Sequence, residues 1–196
     1  MIQKKSLFFF VVCFMAGCAQ TATKYKTNLG SRTAELASIN EASSKFSIGE
    51  ITRNSAGIDM SCRLSTISFE NGENLVTYIK NALVEEFKSA GMYSQTSKKR
   101  LVGNIDHIHL DSFKSMELLI PMAQLFAKAK WHITMTFKGE GADPFSIPVI
   151  YEFPLRDGVF DFGDPCDYPS RQFSSAVANL ITTMSRHPKF YKFLSK

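Results

Sequence analysis

The most regular apolar pattern in the chain runs through Leu75, Ile79, Leu83 and Phe87, four residues apart, with Val76, Ala82 and Ala90 widening the stripe. Steps of four trace one side of a helix, so this stretch predicts an amphipathic helix with a single buried face. Asn71, in the break Glu70-Asn71-Gly72, is its expected N-cap, and Gly91 its stop. Phe173, Val177, Leu180, Ile181 and Met184 predict a second helix of the same kind, ended by Pro188.

Elsewhere the period is two. Trp131, Ile133, Met135 and Phe137 alternate with His132, Thr134, Thr136 and Lys138, the pattern of a half-buried strand. Ile147, Val149, Tyr151 and Phe153 repeat it, with Pro148 and Pro154 on the other face, which predicts the edge of a sheet. Phe46–Ile51 alternates as a first strand, and Cys62–Phe69 predicts another with Leu64 and Ile67 out of strict register. In 101–113, Leu101, Gly103 and Ile105 share one parity, whereas Ile108 and Leu110 share the other. That switch near Asp106 and His107 predicts a bulge or a change of face. Lys98-Lys99-Arg100 is expected as a solvated turn. Strands, helix, three strands and helix together predict an α+β domain over 46–196. Two helices would pack on one face of a mostly antiparallel sheet of about four strands.

The N-terminus bears on compartment. Lys4 and Lys5 precede an apolar run from Leu7 to Ala16. That run is shorter than the roughly 20 residues needed to span a bilayer, and it has the form of a signal peptide over 1–17. Met15-Ala16-Gly17-Cys18 resembles the bacterial lipobox, in which the cysteine is acylated and becomes the first residue. Cys18 is therefore the expected lipidation site, although Met15 stands where leucine is usual. Ala19 and Gln20 follow in place of a retention aspartate, which favours the outer membrane, facing the periplasm. The Thr-, Ser-, Ala- and Asn-rich stretch up to Lys45 is expected to be a flexible tether, so that 18–45 is a lipidated linker reaching roughly 28 Å on average.

Removing 1–17 lowers the formal charge from +5 to +3. So mild an excess, with no finger-type Cys/His spacing, gives no reason to expect nucleic acid. The lipid bilayer and an envelope protein are the expected partners. Cys62 and Cys166 are the thiols left beyond Cys18. In an oxidising compartment they are most simply a disulfide, the alternative being two free or redox-active thiols.

His107-Ile108-His109-Leu110-Asp111 spells His-x-His-x-Asp, the opening of the metal signature of metallo-β-lactamase-like hydrolases. That signature needs another histidine directly after the aspartate, where Ser112 stands, and further ligands downstream. A smaller site could use His107, His109 and His132, because alternate residues share a strand face and a neighbouring strand could add the third. The alternative is three histidines on the polar face of a sheet. His187, before Pro188, is expected at a helix C-terminus, where a cation suits the dipole. Asp157, Asp161, Asp164 and Asp167 crowd one loop without the spacing of a calcium hand. With no nucleophile motif or phosphate loop, neither an enzyme nor a cofactor is expected.

The least ordinary segment is 116–126, MELLIPMAQLF, in which Met116, Leu118, Leu119, Ile120, Met122, Leu125 and Phe126 lie where a polar turn belongs. It either covers the sheet as core or offers an apolar surface to lipid or a partner, with Pro121 near a hairpin tip.

One ordered set of residues carries a family resemblance. It comprises Cys62-Arg63, Tyr78-Ile79-x-x-Ala82-Leu83-x-x-Glu86-Phe87-x-x-Ala90-Gly91-x-Tyr93, Leu101-x-Gly103, Trp131, Tyr151-x-Phe153, Cys166, Phe173-x-x-Ala176-Val177-x-x-Leu180-Ile181 and His187-Pro188-x-Phe190. Over about 46–194 this resembles a family of small uncharacterised outer-membrane lipoproteins of Gram-negative bacteria. The resemblance implies that Cys62 and Cys166 belong together, and that 116–126 is particular to this branch. The order of elements is also similar to auxiliary lipoproteins of envelope lipid transporters, which implies a non-catalytic accessory subunit, by likeness of fold alone.

Overall fold

The computed structural model describes residues 20–26, 45–62, 65–111, 128–154 and 166–195. In chain order the strands are β1 (Gln20–Ala22), β2 (Ser47–Arg53), β3 (Ile58–Asp59), β4 (Ser61–Cys62), β5 (Ser65–Phe69), β6 (Arg100–Asp111), β7 (Lys128–Gly139) and β8 (Phe145–Pro154). The helices are α1 (Leu75–Ser89), α2 (Asp167–Ser185) and α3 (Pro188–Leu194). The α+β class is as expected, but the finer architecture differs. Three helices, not two, and two mixed sheets, of five and three strands, occur among the described residues.

The larger sheet has the order β2-β6-β7-β8, with β3 continuing the β2 edge along β6. β6, β7 and β8 are antiparallel, whereas β2 and β3 run parallel to β6. β8 is an edge strand, as its two prolines require, and both are exposed there. The parity switch in β6 is a bulge: Ile105 faces Met135 and His107 faces Thr134, leaving Asp106 as the extra residue. The extra residue lets both Ile105 and Ile108 point into the core, where each is fully buried. The edge is interrupted at the same level by a single 3-10 turn, Ser55–Gly57. Gly57 is required there, since a Cβ would lie 2.0 Å from the Asp106 carbonyl oxygen.

Cys62–Phe69 is not one strand. β4 and β5 form an antiparallel pair around residues 63–64, and β1 adds to β5 in parallel. The expected tether is accordingly docked at its start: Ala22 and Tyr25 are buried in the core. Residues 27–44 and 1–19 lie outside the described residues.

α1 begins three residues later than expected. Residues 70–72 make a 3-10 turn, and the side chain of Asn74 accepts from the Thr77 amide at 2.9 Å. Gly91, at φ 73°, closes the helix in the left-handed conformation that glycine adopts without strain. Pro188 both follows α2 and opens α3, because a missing N–H costs nothing at the first helical position. His187 is thus the N-cap of α3, its Nδ1 accepting from the Lys189 amide at 3.2 Å, and not only the end of α2. α3 supplies Phe190 and Phe193 to a cluster with Phe46, whose ring also meets Phe87 edge-on at 5.0 Å. Lys99, expected in a solvated turn, instead donates to the Leu194 carbonyl at 2.8 Å. Partial burial holds its amine below the ordinary lysine range.

The faces of α1 can be tested against each other. Leu83 is fully buried and Glu85 is exposed. Leu83→Asp is expected to abolish recovery of soluble protein, because an unpaired buried carboxylate costs several kcal/mol, a large share of the roughly 5–15 kcal/mol that hold a domain folded. Glu85→Ala should move stability by about 0.5 kcal/mol or less in a urea titration. Equal losses would place the wrong face of α1 inward.

Candidate functional site

The chain's expected chemistry divides between two regions. The first is one end of the molecule, where the small sheet meets α2. Cys62, at the end of β4, and Cys166, at the N-cap of α2, are joined in a disulfide with a Cα–Cα distance of 5.8 Å. Both are almost completely buried. Asp167 opens α2 and is paired with Arg171 one turn later, at the end of the helix where a carboxylate suits the dipole. Trp131, near the start of β7, an inner strand of the larger sheet, donates its indole N–H to the Pro169 carbonyl at 3.0 Å and stacks edge-on against Phe173 at 4.9 Å. The start of α2 is therefore fastened to both sheets.

The N-terminal segment is held here by side chains as well as by strand pairing. Tyr78, on α1, donates its phenol to the Thr23 carbonyl at 2.8 Å, and burial raises that phenol's pKa far above its usual range. Tyr25 donates to Oε2 of Glu86 at 2.7 Å, deep in the core. Glu86 lies on the apolar stripe of α1, four residues after Ala82 and four before Ala90. A charged residue on such a stripe signals a buried partner, but nothing in the polar company of Tyr25 identifies which residue supplies it. Cys18 and the segment containing Met116, Leu118, Leu119, Ile120, Met122, Leu125 and Phe126 lie outside the described residues, as do Asp157, Asp161 and Asp164.

The second region is the outer face of the larger sheet. His109 and His132 face each other across β6 and β7, and the bulge leaves His107 on the same side. The rings form a row, with centroids 6.2 Å apart for His107 and His109 and 6.3 Å for His109 and His132. Three nitrogens bound to one zinc ion at about 2.0–2.1 Å would have to converge to within a few ångströms of one another. Among the described residues no group of three His, Cys, Asp or Glu side chains is placed to hold a metal ion. In this arrangement the three rings stand side by side along the outer face of the sheet. His109 pairs with Asp59 at 3.4 Å. Asp59 accepts from the hydroxyl of Ser61 at 2.5 Å and from its amide at 2.9 Å, and these bonds, with His109 adding to them, hold its carboxyl below the usual range. Asp106, the bulge residue, accepts from Asn104 at 2.6 Å and Thr136 at 2.7 Å. These contacts satisfy Asp59 and Asp106, whereas Nε2 of His132 on the same face is buried without a hydrogen-bond partner among the described residues.

Toward the far end of that face an open cleft is lined by Lys98, Arg100, Val102, Lys138 and Glu140, with a cationic excess. Among the described residues no helix is long and apolar enough to cross a membrane. No protein-family model matches this chain, and no curated protein is significantly similar to it.

Two consequences concern the disulfide end. Replacing both Cys62 and Cys166 with alanine should cost about 2–5 kcal/mol, since the bond closes a separation of 104 residues. Calorimetry should show a lower Tm while far-UV circular dichroism keeps the helical signal, and an unchanged Tm would remove the bond from the stability of the fold. Tyr25→Phe should cost about 1–3 kcal/mol, the range for removing one partner of a buried hydrogen bond. A tyrosine in a free tether would give no change in the same denaturant titration.

Proposed function

We propose that this protein is a lipid-anchored lipoprotein of the outer membrane, facing the periplasm, and that it acts there as a non-catalytic accessory or binding subunit of an envelope assembly. The observation that carries the reading is the Cys62–Cys166 disulfide in a chain whose first residues have the form of a lipoprotein leader. Structural disulfides belong to oxidising compartments, and Met15-Ala16-Gly17-Cys18 is the lipobox-like exit to one. Within this reading Cys18 carries the acyl chains, and several chains hold a protein on a bilayer far more firmly than one does.

The resemblance to small Gram-negative lipoproteins, and at fold level to accessory lipoproteins of lipid transporters, points the same way. The partner surface assigned to Met116, Leu118, Leu119, Ile120, Met122, Leu125 and Phe126 rests on the density of apolar side chains in that segment. Its two described ends, Asp111 and Lys128, belong to neighbouring antiparallel strands.

Metabolic labelling with palmitate tests the anchor. The wild-type chain should incorporate label and sediment with membranes. Cys18→Ser should incorporate none and be recovered either unprocessed or in the soluble periplasmic fraction. Label that persists in Cys18→Ser would overturn the assignment.

A further inference from the structure

The larger sheet has two distinct ends, and the strand registers say which chain segments meet at each. Lys128 pairs with Pro154 and Asp111 with Lys130, so the end of β6, the start of β7 and the end of β8 lie together. The indole of Trp131, which faces Leu110, bonds to Pro169, placing the start of α2 and Cys166 at that end too. β3 pairs through Asp59 with His109, and β4 carries on from it to Cys62. The Ile67 amide then donates to the Met60 carbonyl at 2.9 Å, and Gln20 pairs with Ile67. β1 runs parallel to β5, away from Cys62, so the chain enters β1 from the end that holds the disulfide.

Covalent geometry then limits where Cys18 can be. Only Ala19 separates it from Gln20, so the two Cα atoms are at most about 7 Å apart, whatever the backbone between them does. The docking of β1 replaces the roughly 28 Å reach of a free linker with a distance shorter than two turns of helix. We propose that the disulfide end of the domain, marked by Gln20, Cys62, Asp111, Lys128, Pro154 and Cys166, rests on the phospholipid surface, with the larger sheet directed away from it. This rests on the lipid-anchor reading given above. The opposite end, with the turn Glu140–Gly141 and α3, then faces the periplasm. Asp111 and Lys128, the described residues on either side of 112–127, both lie at the bilayer end.

The inference makes the two ends of one strand differ in distance from lipid by its length, roughly 36 Å for the twelve residues of β7. The test uses the full-length acylated protein in vesicles of phosphatidylethanolamine and phosphatidylglycerol that carry a headgroup-attached quencher. A fluorophore is placed on Asp111→Cys or on Glu140→Cys, both exposed positions. Strong quenching at Asp111→Cys and little at Glu140→Cys is the expected result. A flexible Gly-Ser spacer of about 20 residues between Ala19 and Gln20, reaching roughly 25 Å, should abolish that difference while leaving palmitate incorporation intact. Equal quenching at both positions in the acylated protein, or stronger quenching at Glu140→Cys, would overturn the orientation and leave the anchor standing. A wild-type chain that takes up no palmitate would overturn the anchor, and the orientation with it.

Discussion

The small sheet is the part of this structure least able to stand alone, and the Cys62–Cys166 disulfide is what the rest of that region depends on. Its strands have three, five and two residues, too few ladder bonds to hold without support. The disulfide ties β4 to the start of α2, a helix that also packs against β1, β7 and β8. With that corner closed, β5 offers an edge on which β1 can pair, and Tyr78 and Tyr25 find the Thr23 carbonyl and the Glu86 carboxylate. A cross-link between residues 104 apart thereby positions a segment at the other end of the chain, near Cys18.

The bulge at Asp106 plays the corresponding part in the larger sheet. A strand with strict period two could not bury both Ile105 and Ile108 on one face. The extra residue makes this possible, and the altered backbone at that level is where the 3-10 turn with Gly57 crosses and where the β2–β3 edge is interrupted. The same residue sets the histidines. Past the bulge, His107 and His109 stand on the outer face beside His132.

Taken together, the fold is polar in organisation. One end collects the disulfide, the entry to β1 and the roots of the segment 112–127, and the other collects α3, the Phe46 cluster and the Lys99 contact to Leu194. Such a division suits a domain whose membrane attachment and periplasmic surface are at opposite ends, as the proposed anchored lipoprotein would require. The outer sheet face between them carries paired charges and hydrogen-bonded turns, including Asp59 with Ser61 and Glu152 with Lys128 and Lys130.

Periodicity alone was enough for α1, α2, β6, β7 and β8, because their apolar residues recur at the spacing of one buried face and a shift of register would expose them. It also located the bulge from a change of parity, and the sheet edge from Pro148 and Pro154. The short elements were not legible in this way. β1, β3 and β4 are two or three residues long, too short for any period, and they exist because a neighbouring edge supplies their hydrogen bonds. Asn71 was the expected cap, but it lies within the 3-10 turn of residues 70–72, and it is Asn74 whose side chain bonds the helix. Histidine spelling determined that His107, His109 and His132 could share a face, but convergence on a metal depends on angles between strands that no spacing encodes. The linker shows the division most clearly. Its composition predicted a flexible tether over 18–45, and tertiary contact with β5, Tyr78 and Glu86 decided that Gln20–Tyr25 are held, because a short polar segment takes the conformation of the surface that satisfies its backbone and buries its few apolar groups.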